Sequence, residues 1–197
     1  MTETEEHPLA RTFTLWYEKQ EATDESWDNR VVKLCTISTV EQFWQMYSHL
    51  TRLHTHTRTE TLSFFEQGIH PSWEDPRNQE GFKTALTFVN ESLDYQLEQI
   101  LLNLVGNSLM YRDRDQEINV SELINGVIIK IRKGSPSIEV WSRPYPNSNT
   151  IMTRCLTNLW GQQFTKKLHS KPLPKLTPQK GQKKNEDKHA QNKEEAD

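Results

Sequence analysis

Phe65-Glu66-Gln67-Gly68-Ile69-His70-Pro71-Ser72-Trp73-Glu74-Asp75 closes an apolar run and then turns abruptly polar. Thr61 to Gln67 reads as a short strand. Gly68 to Glu80 reads as a loop, because Gly, Pro, Ser and Asp crowd together there. Trp73 stands inside that loop with a carboxylate beside it. A second indole, Trp27, lies in an equally polar run, Thr23-Asp24-Glu25-Ser26-Trp27-Asp28-Asn29-Arg30. Each ring can be read as a loop anchor folded back on the core, since scattered surface apolar residues are common. Together they can also be read as a ligand site. Two loop indoles and an adjacent carboxylate suit a flat, cationic, donor-bearing ring, with the indoles on its faces and the carboxylate on its donor edge.

Working outward from that loop, Arg11 to Lys19 and Val31 to Ser38 mix β-branched and aromatic residues and read as strands, as does Gly81 to Phe88. Val40, Phe43, Trp44 and Tyr47 recur at helical spacing, which predicts a helix over 39–49 capped by Ser38 or Thr39. Leu93, Leu97, Leu101, Leu104 and Val105 predict another, capped by Asn90 or Ser92 and ended by Gly106. Ser108 to Asn125 reads as polar and irregular. Ile124 to Lys133 and Ser137 to Arg143 read as a hairpin around Gly134-Ser135-Pro136, and Thr150 to Gln163 as a last helix. Strands interleaved with helices in this order indicate an α+β domain, an antiparallel sheet with helices on one side.

The chain has 197 residues and a net charge of −3. That length suits one domain with tails. From Thr165 onward, nine lysines face five acids, while residues 1–164 hold 15 basic and 22 acidic residues. An acidic body does not fit a protein that grips long stretches of nucleic-acid backbone, so any such contact should be small and local. The acidic start, without an apolar stretch after it, is not expected to be a secretory signal, and no apolar run has the length of a membrane span. Cys35 and Cys155 lack metal or redox spacing and read as free thiols of a reducing compartment, which points to the cytoplasm with nuclear entry left open. The expected organisation is a disordered acidic segment over 1–6, a domain over 7–165 and a lysine-rich disordered tail over 166–197.

The motifs His7-Pro8-Leu9, Leu15-Trp16-Tyr17, Thr39-Val40-Glu41-Gln42-Phe43-Trp44 and the Phe65–Asp75 run resemble, in order and spacing, the eukaryotic translation initiation factor 4E family of mRNA 5′-cap-binding proteins. The resemblance implies a curved antiparallel sheet of about eight strands with three helices on its convex back. It implies that capped mRNA is the ligand, with 7-methylguanine stacked between Trp27 and Trp73 and read by Glu74, and with phosphates held by Arg132 and Lys83. The family's further phosphate-binding Lys falls at Ser137. Lys130 and Arg132 are two apart on a strand and so share a face. Lys130 therefore either replaces the lost charge or is a solvated rim residue.

The resemblance also implies a scaffold or repressor protein whose Tyr-x-x-x-x-Leu-apolar segment binds across the first two helices, at positions matched by His7, Pro8, Val40, Trp44, Leu102 and Gly106. Trp44 is expected to be partly exposed, with burial in the core as the alternative. Glu98 takes the place of an apolar contact, so a variant partner with a basic residue opposite it is expected. The implied protein is a monomer outside its complex, with no cofactor, membrane or metal. Its role is translation initiation, or alternatively translational repression or mRNA storage. His49, His54 and His56 are a weak metal pattern without a suitable acid or Cys, and a cap-processing enzyme built on them is the reading from another class. Trp16, Trp141 and Trp160 fall in strand or helix patterns and are expected in the core.

Overall fold

In the computed structural model, residues 6–19, 30–50, 53–56, 58–87, 92–113, 116–132, 134–161 and 168–175 are described. Seven strands form one curved antiparallel sheet. They are β1 (Pro8–Glu18), β2 (Val31–Thr39), β3 (Glu60–Glu66), β4 (Phe82–Thr87), β7 (Ile124–Ile131), β8 (Ser137–Ser142) and β9 (Leu168–Pro172), in the order β2-β1-β3-β7-β8-β4-β9. A separate hairpin joins β5 (Met110–Asp113) to β6 (Gln116–Asn119). The helices are α1 (Val40–His49), α2 (Leu93–Val105) and α3 (Ser148–Trp160).

Alternation along each strand divides the sheet into two faces. Phe13, Leu15, Leu62, Phe64, Val127, Ile129, Ile131, Ile138 and Val140 face the helices and are buried with them in one core. Phe13 and Phe64 stack there at 4.7 Å. From the helices come Phe43 and Met46 of α1, Leu97, Ile100, Leu101 and Leu104 of α2, and Ile151, Met152, Leu156 and Trp160 of α3. Each such side chain, fully buried, contributes roughly 1.5–3 kcal/mol. Thr39 caps α1 by accepting from the Gln42 amide at 3.3 Å. Gly106 ends α2 as expected, but at φ −77°; the left-handed residue is the next one, Asn107, at φ 50°.

The opposite face has a smaller apolar cluster of Phe65, Ile69, Ile128, Trp141 and Leu173. This corrects the expectation for two tryptophans. Trp160 belongs to the core and donates to the Gln96 carbonyl at 3.1 Å. Trp141 is buried on the other face, and Trp16 stands on that face too, opposite Ser63 in a register that puts Thr14 opposite Phe65. Gly126 allows the cluster to form: a Cβ there would lie 2.3 Å from Cγ of Phe65.

Two further expectations are corrected. The described residues between Ser108 and Asn125 form regular structure rather than an irregular stretch: Leu109, Tyr111, Val120 and Leu123 are buried, and a short 3-10 turn (Val120–Leu123) follows the hairpin. The domain also continues past 165. β9 pairs with β4 from Leu168↔Leu86 to Pro172↔Phe82, and the Leu173 amide donates to the Gly81 carbonyl at 2.8 Å. Residues 1–5, 166–167 and 176–197, the rest of the two expected tails, lie outside the described residues.

Candidate functional site

The Trp73 loop is fixed from both ends. At its entrance, Glu66 accepts from Arg11 at 3.1 Å and Arg143 at 3.2 Å. Arg11 also donates to the carbonyls of Ser121 (2.7 Å) and Ile124 (3.0 Å), and its burial lowers the guanidinium pKa from its usual value. Gly68 turns the chain at φ 80°, a conformation a side chain would oppose, and the Ile69 amide closes the turn on the Glu66 carbonyl at 3.0 Å. Ile69 then plugs the apolar cluster, while His70 meets the Trp16 ring edge-on at 5.2 Å. The loop therefore lies over the face of the sheet away from the helices.

Inside the loop, Asp75 and Asn78 replace regular structure. The Asp75 carboxylate accepts from the amides of His70 (2.7 Å) and Arg77 (2.9 Å). Fully buried Asn78 donates to the carbonyls of His70 (2.9 Å) and Ser72 (2.7 Å) and accepts from Asn125 at 2.9 Å. Asn125 donates to the Arg77 carbonyl as well, at 2.7 Å. With the backbone satisfied in this way, two neighbours face outward. Trp73 is 38% exposed, and Glu74 is exposed. The Glu74 carboxylate forms no hydrogen bond or ion pair among the described residues. Of the acids in Trp73-Glu74-Asp75, one builds the loop and the other is presented to solvent. Trp27, the other expected stacking partner, lies outside the described residues.

The same face carries two of the expected cations, Lys130 and Lys83. Ile129 and Ile131 are buried against the helices, and Lys130 between them projects to the other side. Arg132 is exposed just past the end of β7. Lys83 lies opposite Trp141 across β4 and β8, and Lys130 opposite Ser137 across β7 and β8. One residue here escaped the sequence reading. Glu139 projects from β8 on this face. Its carboxylate lies 2.6 Å from Lys130 Nζ and 3.6 Å from Lys83 Nζ, and it accepts from Trp141 Nε1 at 3.4 Å. The two expected phosphate contacts thus share one counter-ion. The signal was available: Ser137, Glu139 and Trp141 alternate with Ile138 and Val140, so Glu139 must share the face of Ser137.

On the helix side, His7 is tied to Glu41. The His7 amide donates to Oε2 at 3.0 Å, and its ring Nδ1 lies 2.7 Å from Oε1. These bonds lower the Glu41 carboxyl to about 2. The Val40 amide donates to the His7 carbonyl at 2.9 Å, which docks the start of the chain onto α1. Trp44 is 46% exposed and Val40 38%, so the buried side of α1 runs through Phe43 and Met46 instead. Trp44 rests edge-on against Phe43 (5.3 Å) and Tyr47 (5.9 Å). Burial first, then the charges of Glu98 and Asp94, push the Tyr47 phenol up to about 12. Glu98 of α2 therefore acts on the seam between the first two helices, where Leu102 is half-buried and Gly106 exposed.

Among the described residues, no group of three or more His, Cys, Asp or Glu side chains could hold a metal ion. His49 approaches the Gln45 carbonyl at 2.6 Å and His56 pairs with Glu60 at 3.1 Å. No described helix is long and apolar enough to cross a membrane.

Known proteins share this sequence and architecture. The chain is 34% identical over 149 residues to the eukaryotic translation initiation factor NCBP of Oryza sativa subsp. japonica, a match covering 75% of the chain and 62% of that protein. The corresponding factor of Arabidopsis thaliana is 32% identical, with 75% and 63% covered. The chain thus spans rather less than two thirds of the length of these relatives. In architecture it is similar to C. elegans eIF4E-3, solved in complex with the 4E-binding protein Mextli and a cap analog, with TM-score 0.67, 24% identity and 79% and 86% of the two chains covered. It is likewise similar to a schistosome eIF4E complexed with m7GpppA and 4E-BP, with TM-score 0.71, 22% identity and 86% and 90% covered. The sequence model described as eukaryotic initiation factor 4E matches residues 8–196, and the chain belongs to that family.

Proposed function

We propose that this chain is a binding protein, not an enzyme, that holds the 7-methylguanosine cap of mRNA and serves translation initiation in the cytoplasm through a scaffold partner. The observation that carries this reading is Trp73 beside Glu74: an indole, and a carboxylate without a partner among the described residues, held outward by a loop whose own polar groups are satisfied by Asp75 and Asn78. Methylation at N7 makes guanine cationic, so an indole stack gains a cation–π contribution over the neutral base. The carboxylate accepts from the ring N–H and exocyclic amine, a donor pair that adenine lacks in that arrangement. Trp27 is the second stacking ring. Lys83, Lys130 and Arg132 meet the phosphates. Membership of the initiation factor 4E family supports the ligand, and the exposed Trp44 and Val40 support a docking partner on the helix side. The free Cys35 and Cys155 support a reducing compartment.

Tryptophan fluorescence titration with 7-methylguanosine triphosphate, and with unmethylated guanosine triphosphate as control, tests the reading. Trp27→Ala and Trp73→Ala should each weaken the methylated ligand by roughly ten- to a hundredfold, the equivalent of about 1–3 kcal/mol. Glu74→Gln should reduce the preference for methylated guanosine over an adenosine analogue. Equal affinity of the unsubstituted chain for methylated and unmethylated nucleotides would refute it.

A further inference from the structure

We propose that Glu139 is a resident counter-ion that limits how strongly the cap phosphates are bound; the inference rests on the cap-binding reading above. Three strands bring the groups together. The β7–β8 register sets Lys130 opposite Ser137 and Ile128 opposite Glu139, while the β4–β8 register sets Ala85 opposite Glu139 and Lys83 opposite Trp141. Glu139 thus stands between the two lysines on one face. Ala85, small and directly across, leaves it room.

The order of burial gives the arrangement its consequence. The Glu139 side chain is 10% exposed, against 25% for Lys130 and 31% for Lys83. An approaching anion meets two ammonium groups with a carboxylate directly behind them. The trio presents a net charge of +1 where two free lysines would present +2. Because the carboxylate is largely buried, salt screens its effect on a nearby phosphate poorly. Two effects compete. The carboxylate holds both lysines in place, which favours phosphate binding, and it cancels a full unit of their charge, which opposes it. Holding saves only the rotamer freedom of long side chains. The charge acts on every phosphate at close range, so cancellation wins. The site should therefore read the methylated base strongly and gain little from each added phosphate.

The test uses the full chain with 7-methylguanosine mono-, di- and triphosphate, over a range of salt concentrations. Glu139→Gln retains an acceptor for the Trp141 indole but removes the charge. It should raise the ratio of triphosphate to monophosphate affinity about three- to tenfold and steepen the logarithmic salt dependence of triphosphate binding by about one. Adding Lys130→Met should return the ratio close to that of the parent. Thermal unfolding shows whether E139Q is folded, and Glu139→Ala provides a second uncharged variant if it is not. A ratio and salt slope unchanged within twofold in the folded variant would overturn the proposal. So would a lowered ratio, because Glu139 would then serve only to position the lysines. Failure of the underlying reading is separately visible: the parent chain itself would not prefer the methylated nucleotide, and both inferences would fall.

Discussion

Asn78 touches no expected ligand, yet its side chain donates to two carbonyls of the Trp73 loop and accepts from Asn125. Asn78→Ala would leave the Ser72 carbonyl and one N–H of the buried Asn125 amide without this partner, while the His70 carbonyl keeps the Ser72 amide, at a cost of about 2–4 kcal/mol. Stability by denaturant titration should fall by that amount. Affinity for the methylated cap should fall too, because the outward pose of Trp73 depends on the same bonds. An unchanged affinity in the folded variant would show that the loop keeps its shape without Asn78. Glu41 supports a prediction in pH. Hydrogen bonds from His7 depress its carboxyl from 4.5 to about 2, so its tie to His7 is complete above the ordinary carboxylate range and is lost as pH falls through about 2. Carbon NMR should place the Glu41 midpoint near the low value; a midpoint near 4.5 would mean that the His7 contact does not persist in solution. At this scale the sequence was legible where local chemistry decides. An indole among Pro, Ser, Glu and Asp was readable as a loop indole. Alternation along β8 and the hairpin with β7 could have brought Glu139 to Lys130, but its second partner, Lys83, is 56 positions away and reaches it only through strand pairing.

Each helix was legible from its period, but the period alone does not fix which side of α1 is buried; the partial exposure expected of Trp44, which stands 46% exposed, came from the family resemblance. Val40, Phe43, Trp44 and Tyr47 make a plausible inward stripe, whereas Phe43 and Met46 are buried and Trp44 projects. Periodicity defines a face only to within a residue or two, and neighbours rotate it. What occupies the seam between α1 and α2 follows from its charge. Glu98, near enough to raise the Tyr47 phenol, sits where an apolar contact was expected. A docking segment would have to desolvate that carboxylate. Glu98→Leu should therefore strengthen binding of a standard Tyr-x-x-x-x-Leu-apolar peptide by about ten- to a hundredfold in calorimetry, and a peptide with Lys or Arg facing position 98 should lose by the same change. Nanomolar binding of the standard peptide to the parent, unaltered by the substitution, would count against this. The β5–β6 hairpin was unreadable for another reason. Its sequence runs through Arg112-Asp113-Arg114-Asp115-Gln116-Glu117, six polar residues in a row, and the buried Leu109 and Tyr111 signal too briefly against them.

The order of the whole sheet depends on contacts distant in sequence: β3 with β7, and β8 with β4. Spacing predicts the hairpin of β7 and β8, but not which strand lies on either side of it, so family likeness carried that part of the architecture. Composition also misplaced the end of the domain, since Leu168-His169-Ser170-Lys171-Pro172 looks like the lysine-rich stretch that follows. Lys171 and the prolines that disguise it suit the outermost strand of a sheet, where one side of the backbone goes unpaired. The added strand is also fastened to the far end of the Trp73 loop, through Leu173 on Gly81 and Lys175 on Glu80 at 2.8 Å. A fragment cut at 165, where composition would invite the cut, leaves β4 paired with β8 on one side and its backbone groups facing β9, between Phe82 and Leu86, without a partner, on a strand with no proline or bulge to protect it. Such a fragment should self-associate with rising concentration in sedimentation, while a chain ending at Lys175 should not. The strand that reads as the beginning of a tail is the cover that keeps one molecule's sheet from recruiting the next.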